Sequence, residues 1–321
     1  MRAVVTGGAG FIGSNLVDAL VADGAEVLVV DDLSHGSEEN LTAAFDSGAT
    51  LAKLDVRDAA GVSETLGAFR PEVVFHLAAQ IDVRTSMVQP ARDAEINVLG
   101  SVNVFTAARD AGARRVVNTS TGGAIYGETD VVPTPEGEPA RPLSGYGLSK
   151  RTAEEYGIWF GEAHGLEVVT LRYGNVYGPR QDPSGDAGVI AIFCNRVLTG
   201  QRPVVFGDGR QTRDYVFVGD IVAANLAAAA AATVRHPRYN VGTGIEVSVL
   251  ELIEAVAQAA GVDPGAFAPE MRPARAGEVL RSCLDVTRAR DDLGLAAPTP
   301  LTEGLRATLG WVRTVTPDAT G

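Results

Sequence analysis

Cysteine is scarce: the 321 residues include two, Cys194 and Cys283. They lie far apart and outside any Cys-x-x-Cys or His-rich spacing, so the sequence supports neither a disulfide framework nor a zinc site, and no metal is expected. That usage fits a reducing compartment, and a cytoplasmic location is expected. Basic charge is also short. Against 40 Asp and Glu stand 27 Lys and Arg, a net charge of −13, which is the wrong sign for neutralising nucleic-acid phosphates, so no nucleic-acid partner is expected. Small anionic ligands remain open to such a chain if arginines or helix N-termini cluster locally. A long apolar run is missing too. The longest, residues 221–234, is interrupted by Asn225 and is too short to span a bilayer; it reads as a buried alanine-rich helix. The first residues run at once into glycines, leaving no room for the apolar core of a signal peptide, so no membrane association is expected.

What is present is an ordinary globular composition, 45% hydrophobic and 21% charged, in a length that suits one large α/β domain with a smaller lobe. Short apolar runs at 3–5, 26–30, 50–54, 73–77, 115–119 and 168–172 read as strands. Amphipathic stretches at 12–23, 61–70, 92–111 and 146–164 read as helices. This alternation predicts a doubly wound parallel sheet, and strands that are apolar without alternation predict helices on both faces. After Asn175 the pattern loosens into Gly/Pro-rich segments and short strands, as for a smaller mixed α/β C-terminal lobe. Residues 213–232 read as a strand-plus-helix unit returning to the main sheet, and the tail after 312 reads as polar and frayed.

Thr6-Gly7-Gly8-Ala9-Gly10-Phe11-Ile12-Gly13 closes the first strand and opens the first helix. Gly7, Gly10 and Gly13 permit a tight turn and let backbone N–H groups at a positive helix end approach a pyrophosphate, with Phe11 and Ile12 in the same turn. Taken alone, such a string also occurs in structural turns. The second strand, however, ends in Asp31-Asp32, where a carboxylate can accept from the adenosine ribose hydroxyls and repel the extra phosphate of NADP; NAD is therefore favoured. A turn cap is the other reading of Asp31. Asp55 and Val56 close the third strand as a candidate adenine contact. Leu77, Ala78, Ala79 and Gln80 close the fourth, where small residues let a cofactor lie against the backbone. On this reading residues 1–174 form the NAD-binding domain, joined by 211–245, and 175–321 form most of a discontinuous substrate lobe.

Tyr146-Gly147-Leu148-Ser149-Lys150 puts a phenol and an ammonium on one helix face. The cation, and later a positively charged nicotinamide ring, are expected to pull the phenol below its usual value of about 10, towards a useful general base. By itself the pair also occurs on solvated helix surfaces. Together with the glycine array, with Asn97-Val98-Leu99-Gly100, Ala124-Ile125-Tyr126-Gly127, Leu171-Arg172-Tyr173-Gly174-Asn175-Val176-Tyr177-Gly178-Pro179-Arg180 and Arg213-Asp214-Tyr215-Val216, it makes the chain resemble the extended short-chain dehydrogenase/reductase family. Within that family it is similar to the UDP-glucose 4-epimerase-like sugar-nucleotide enzymes. The likeness runs over nearly the whole length.

The resemblance implies a Rossmann fold, bound NAD, and inversion at C4 of a UDP-hexose by way of a 4-keto sugar. It implies that Tyr146 is the base, that Lys150 holds the nicotinamide ribose, and that a hydroxyl after the fifth strand completes a relay. Counting from the strand selects Thr121, with Ser120 in reserve; counting back from Tyr126-Gly127 lands on Gly122. Dehydrating relatives carry an acidic pair after the relay residue, whereas this chain has Gly122-Gly123. The resemblance further implies Asn97 and Tyr173 at the cofactor, and Arg84, Ser86, Asn175, Val189, Arg213, Arg275 and Glu278 at the sugar nucleotide. Ser282 falls where a small side chain would admit an N-acetyl group. Two other readings stay open: a UDP-glucuronate 4-epimerase, with Arg180 or Arg84 pairing the carboxylate, and an NAD-binding scaffold or sensor on the same fold. A homodimer through the helices at 92–111 and 146–164 is expected.

Overall fold

A computed structural model describes residues 1–183, 188–274 and 279–315. Six strands appear where the apolar runs placed them: β1 (Arg2–Thr6), β2 (Glu26–Asp31), β3 (Thr50–Lys53), β4 (Val73–His76), β5 (Arg115–Thr121) and β6 (Glu167–Tyr173). With the strand Arg238–Val241 they form one seven-stranded sheet in the order Arg238–Val241, β6, β5, β4, β1, β2, β3, every pairing parallel. Neighbouring residues feed opposite faces. Ala3 and Val5 pack with Leu16, Phe75 and Ile221 on one side, while Val4 packs with Val74, Phe105 and Phe160 on the other. A strand sandwiched this way must be apolar at every position, which is why the runs do not alternate.

The unit at 213–232 differs from its expected place. Its strand, Tyr215–Phe217, pairs with Asn175–Tyr177 in a separate two-stranded sheet. The next strand, Arg238–Val241, is the one that joins β6. The helix Val218–Ala230 is the buried alanine-rich helix, and Asn225 within it is inaccessible because its amide donates to Tyr173 Oη (2.7 Å) and to the carbonyl of Ile221 (2.8 Å). The C-terminal end of this helix is capped by Arg115, whose Nη1 reaches the carbonyls of Ala228, Ala229 and Ala231. A second core, with Phe193, Val205, Leu252, Phe267 and Leu309, joins the helices Val189–Leu198, Val249–Ala260 and Leu301–Val315. The last of these helices runs through Val315, past the point where a frayed tail is predicted. No helix among the described residues is long and apolar enough to cross a membrane.

The helix expected at 92–111 is in three pieces: Pro90–Ala94, a π-turn at Glu95–Leu99, and Gly100–Asp110. Its cause is local. The Asn97 side chain is drawn towards the loop after β4, where its Oδ1 accepts from Gln80 N (2.9 Å), and the Asn97 carbonyl is met by Ser101 Oγ (2.6 Å). Ser101 spends its proton on that carbonyl, so it accepts from His76 Nε2 (2.9 Å), which leaves His76 Nδ1 to accept from Thr6 Oγ1 (2.7 Å). His76 is therefore a neutral strut between the glycine loop and the π-turn, and burial, with the charge of Lys150, pushes its pKa from 6.5 down to about 3.

Above pH 6.5 this ring is neutral in folded and unfolded chains alike. As the pH falls from 6.5 towards 3, the unfolded chain takes up a proton that the folded chain refuses, so stability is lost progressively across that window. In denaturant unfolding from pH 7 to pH 4, the stability gap between the parent and His76→Gln is expected to narrow steadily; a gap that stays constant removes the linkage.

Candidate active site

The site lies beyond the C-terminal ends of β1, β2, β4 and β5. Gly7 turns the chain out of β1 at φ +68°, and a Cβ there would sit 2.6 Å from Ala78 N, so the glycine loop nests directly on the segment after β4. The helix that follows, Phe11–Ala22, has Gly10 at its N-cap and no side-chain cap. A Cβ at Gly10 would meet only the Gly7 carbonyl. This open cradle at an uncapped helix start fits a pyrophosphate. Asp31, 7% exposed, accepts from Ala9 N (2.9 Å) and Leu33 N (2.8 Å), so one carboxylate fixes both the glycine loop and the turn after β2. Asp32 is exposed and closes a turn on Ser34. The Asp55 carboxylate is taken up by Arg57, whose guanidinium beside it holds its pKa below the usual range. Val56 is buried against Gly100, while Leu77, Ala78 and Ala79 are half-buried along the loop after β4.

The helix Gly145–His164 brings in the phenol. Ser144 caps it by accepting from Gly147 N (3.1 Å). Gly147 is required because any Cβ there would collide with the Ala124 carbonyl. The helix therefore lies close against the segment following β5, with Tyr146 beside the Thr121 hydroxyl, whose influence lowers the phenol's pKa. Thr121 also caps the short helix Gly122–Ile125, its Oγ1 accepting from Ala124 N (3.2 Å). Ser120 points the other way, 2% exposed, with no partner for its hydroxyl. Alternation along β5 thus puts Thr121, not Ser120, beside the phenol.

Lys150 is 3% exposed and donates to the carbonyl of Thr119 (3.0 Å). Burial pushes its pKa from 10.5 down to about 8, against the opposing charges of Asp93 and Glu154. The Tyr146 phenol is pushed up to about 12, by burial first and then by Asp93, with the Thr121 hydrogen bond opposing. The sign is opposite to the pull expected of Lys150: burial and the Asp93 charge set it, and the ammonium is spent on the Thr119 carbonyl. Asp93 itself was not foreseen: it falls between Arg92 and Glu95 at the start of the predicted helix, yet it is 1% exposed.

Other expected contacts turn inward. Gln80 and Asn97 bond each other, Asn97 donates to Ser149 Oγ (3.1 Å), and both amides donate to Asp93 Oδ1 (3.0 and 3.1 Å). The Tyr173 hydroxyl is buried between Thr119 Oγ1 and Asn225 Nδ2, and burial pushes its pKa up to about 12. Ser86, expected at the substrate, is inaccessible; its hydroxyl goes to the Val83 carbonyl (2.6 Å) as it packs behind Gly145. Arg84 is exposed. Arg180, considered for a uronate carboxylate, is held by Asp18 at 2.7 Å.

On the lobe side, Arg213 and Ser282 are register partners in a small three-stranded sheet. Asn175 begins its strand with Oδ1 buried, unpartnered, and facing Gly123. Val189 opens the helix Val189–Leu198. Arg275 and Glu278 lie outside the described residues. Among the described residues no cluster of His, Cys, Asp or Glu is arranged to hold a metal ion.

A parallel sheet with a glycine cradle at its C-terminal edge and a Tyr/Lys helix beside it defines a dinucleotide-dependent oxidoreductase-type enzyme fold. The family model described as "NAD dependent epimerase/dehydratase family" matches residues 3–242, and the chain belongs to that family. It is 47% identical to a UDP-glucose 4-epimerase of Mycolicibacterium smegmatis, over 98% of this chain and 99% of the relative. The crystal structure of a Thermotoga maritima UDP-glucose 4-epimerase with UDP-glucose superposes with a TM-score of 0.93 at 43% identity, covering 98% and 99% of the two chains. A Thermus thermophilus UDP-glucose 4-epimerase in complex with NAD gives 0.89 at 42%, covering 98% and 100%.

Because Asp31 braces the glycine loop through charge-assisted hydrogen bonds, Asp31→Asn is expected to weaken NAD binding about tenfold or more and to narrow the preference for NAD over NADP. Calorimetric titration of cofactor-free protein with each dinucleotide checks both.

Proposed function

We propose that this chain is an NAD-dependent 4-epimerase of UDP-hexoses, with UDP-glucose and UDP-galactose as the first pair. What carries the reading is the Tyr146–Thr121 contact at the end of β5, followed by two glycines and no acid–base side chain. A relative that removes water from the sugar needs a carboxyl group at that place, as the resemblance implies. Here a side chain at 122 would run into Leu284. Reversible oxidation at C4 is the chemistry left. The full-length similarity to the M. smegmatis relative supports the plain UDP-hexose pair, and the Asp18–Arg180 ion pair weakens the case for a uronate.

When bound, NAD supplies a reversible hydride acceptor for C4 and a positive charge near the phenol. The backbone of Gly7, Gly10, Phe11, Ile12 and Gly13 would hold its pyrophosphate, Asp31 and Asp32 its adenosine ribose, and Asp55 with Val56 its adenine. Residues 77–80, Asn97 and Tyr173 back its other half. Tyr146 accepts the C4 hydroxyl proton, directly or through Thr121, and returns it once the sugar has presented its other face. Lys150, anchored at the Thr119 carbonyl, compensates the negative charge that develops on the phenolate and binds the ribose. Asn175, Arg213, Arg275, Glu278 and Val189 keep the nucleotide in place while the sugar turns, with the exposed Arg84 on the wall opposite and Ser86 buried behind it.

We propose in addition that the protein is a cytoplasmic homodimer. Leu148, Tyr156 and Trp159 are 55%, 40% and 49% exposed along one face of the helix Gly145–His164, at a spacing that makes an apolar stripe, and Leu99 is exposed on the neighbouring π-turn.

Purified protein incubated with UDP-glucose and no added NAD is expected to yield UDP-galactose by NMR of the sugar, with kcat reduced about 10²–10⁴-fold in Tyr146→Phe. Protein that carries NAD yet leaves every UDP-sugar unchanged sinks the proposal. The small Ser282 leads us to expect turnover of UDP-N-acetylglucosamine as well. Ser282→Tyr is then expected to lose that activity and keep the one on UDP-glucose; a variant treating both sugars as the parent does removes the assignment.

A further inference from the structure

We infer that Asp93 is a positioning residue for the Tyr146–Lys150 pair, its buried carboxylate held in place beside both by the amides of Gln80 and Asn97. The connection is continuous. Asp93 Oδ1 accepts from Gln80 Nε2 (3.0 Å) and Asn97 Nδ2 (3.1 Å), Asn97 Nδ2 also donates to Ser149 Oγ (3.1 Å), and Ser149 Oγ donates to the carbonyl of Tyr146 itself (3.0 Å). A carboxylate in this position is paired with amides rather than with a cation, so its charge is not cancelled where it sits.

The other ionisable groups around the pair are balanced or neutral. Glu154, one turn beyond Lys150, is matched by Arg172 at 2.5 Å, with Arg238 at 3.9 Å. His76 on β4 is neutral in its strut, and the Tyr126 and Tyr173 phenols have their pKa values raised by burial. That leaves Asp93 as the charge felt by both members: it opposes the burial that drives Lys150 down to about 8, and it adds to the burial that drives Tyr146 up to about 12. Its action is to keep the ammonium charged and the resting phenol protonated in a site that burial alone would push towards neutral lysine.

The test uses a feature of the composition: the chain has two lysines, Lys53 and Lys150, and Lys53 is exposed. Carbon-13 labelled lysine therefore gives two resonances, one reporting the site and one serving as internal control. Asp93→Asn keeps an oxygen acceptor for both amides and removes the charge. Lys150 is expected to titrate on the order of one pH unit lower than in the parent, with Lys53 unmoved and the parent value largely regained in Asp93→Glu. Simple loosening of the packing would admit water and move Lys150 the other way, towards 10.5. Asp93→Ser also removes the charge and leaves a hydroxyl, so a shift in the same direction is expected should the Asn variant not fold. Lys150 titrating at an unchanged or higher pH in either folded variant overturns the inference.

A second measurement rests on the epimerase reading. Loss of a negative charge lowers both pKa values, so both limbs of the pH dependence of kcat/KM on UDP-glucose are expected to move to lower pH together. Absence of turnover in the parent with a shifted Lys150 resonance would fail the functional reading alone, and normal turnover with an unshifted resonance would fail this inference alone.

Discussion

The buried pairing of Arg172 with Glu154 fixes the orientation on which the site depends. Arg172 lies on β6 and Glu154 on the helix that carries Tyr146, their side chains 1% and 0% exposed. Arg172 Nη1 also donates to Tyr126 Oη (2.8 Å), and the Tyr126 hydroxyl donates to Asn240 Oδ1 (2.7 Å) on the last sheet strand. The helix, the exit from β5, β6 and the edge strand are thus tied by one hydrogen-bonded chain. Such a pair adds little net stability over a well-packed apolar substitute, but losing one partner costs about 3–5 kcal/mol because a charge is left buried alone. Its consequence here is rotational. Glu154 is one turn after Lys150, so fixing Glu154 against β6 turns Lys150 towards the Thr119 carbonyl and leaves Tyr146 over Thr121.

Much of the fold was legible because burial on both faces removes ambiguity. Residues 27–30 and 116–117 have no polar alternation to misread, and helices must cover both sides of such strands. The strand Tyr215–Phe217 was harder, since a three-residue apolar segment carries no information about which sheet it joins. Its partner, Asn175–Tyr177, is equally short. The break in the helix at 92–111 was hidden for a different reason. A π-turn adds one residue to a turn without altering composition, and the apolar positions on either side still satisfy helical spacing.

At the site, what could be read were positions and residue types; what could not were directions and surroundings. Thr121 was preferred on count alone, with Ser120 in reserve, and the strand's alternation is what sets the two hydroxyls on opposite faces. Gln80 and Asn97 stand at the right places, but the Asn97 amide is taken up by the Gln80 backbone and both side chains donate to Asp93. The sign of the Tyr146 shift was missed because the effect of a lysine neighbour is visible in a four-residue spacing, whereas desolvation depends on everything folded around it. Asp93 gave no signal, being flanked by Arg92 and Glu95 where a helix start would carry solvated charges.

The π-turn at Glu95–Leu99 also bears on how this stretch of chain tolerates changes of length. Asp93 and Asn97 face the catalytic helix from one side of the extra residue, while Val104 and Phe105 pack on the sheet from the other. Deleting one residue from the turn would close it to an ordinary α-turn and leave the halves on either side facing as they do now, because the wide turn takes up its extra residue locally. The aromatic anchor would stay in the core, and the loss would fall on the bulged segment itself, where Asn97 reaches the loop after β4. A single-residue gap here in a related chain would therefore mark a change at the site and not in the packing of the sheet.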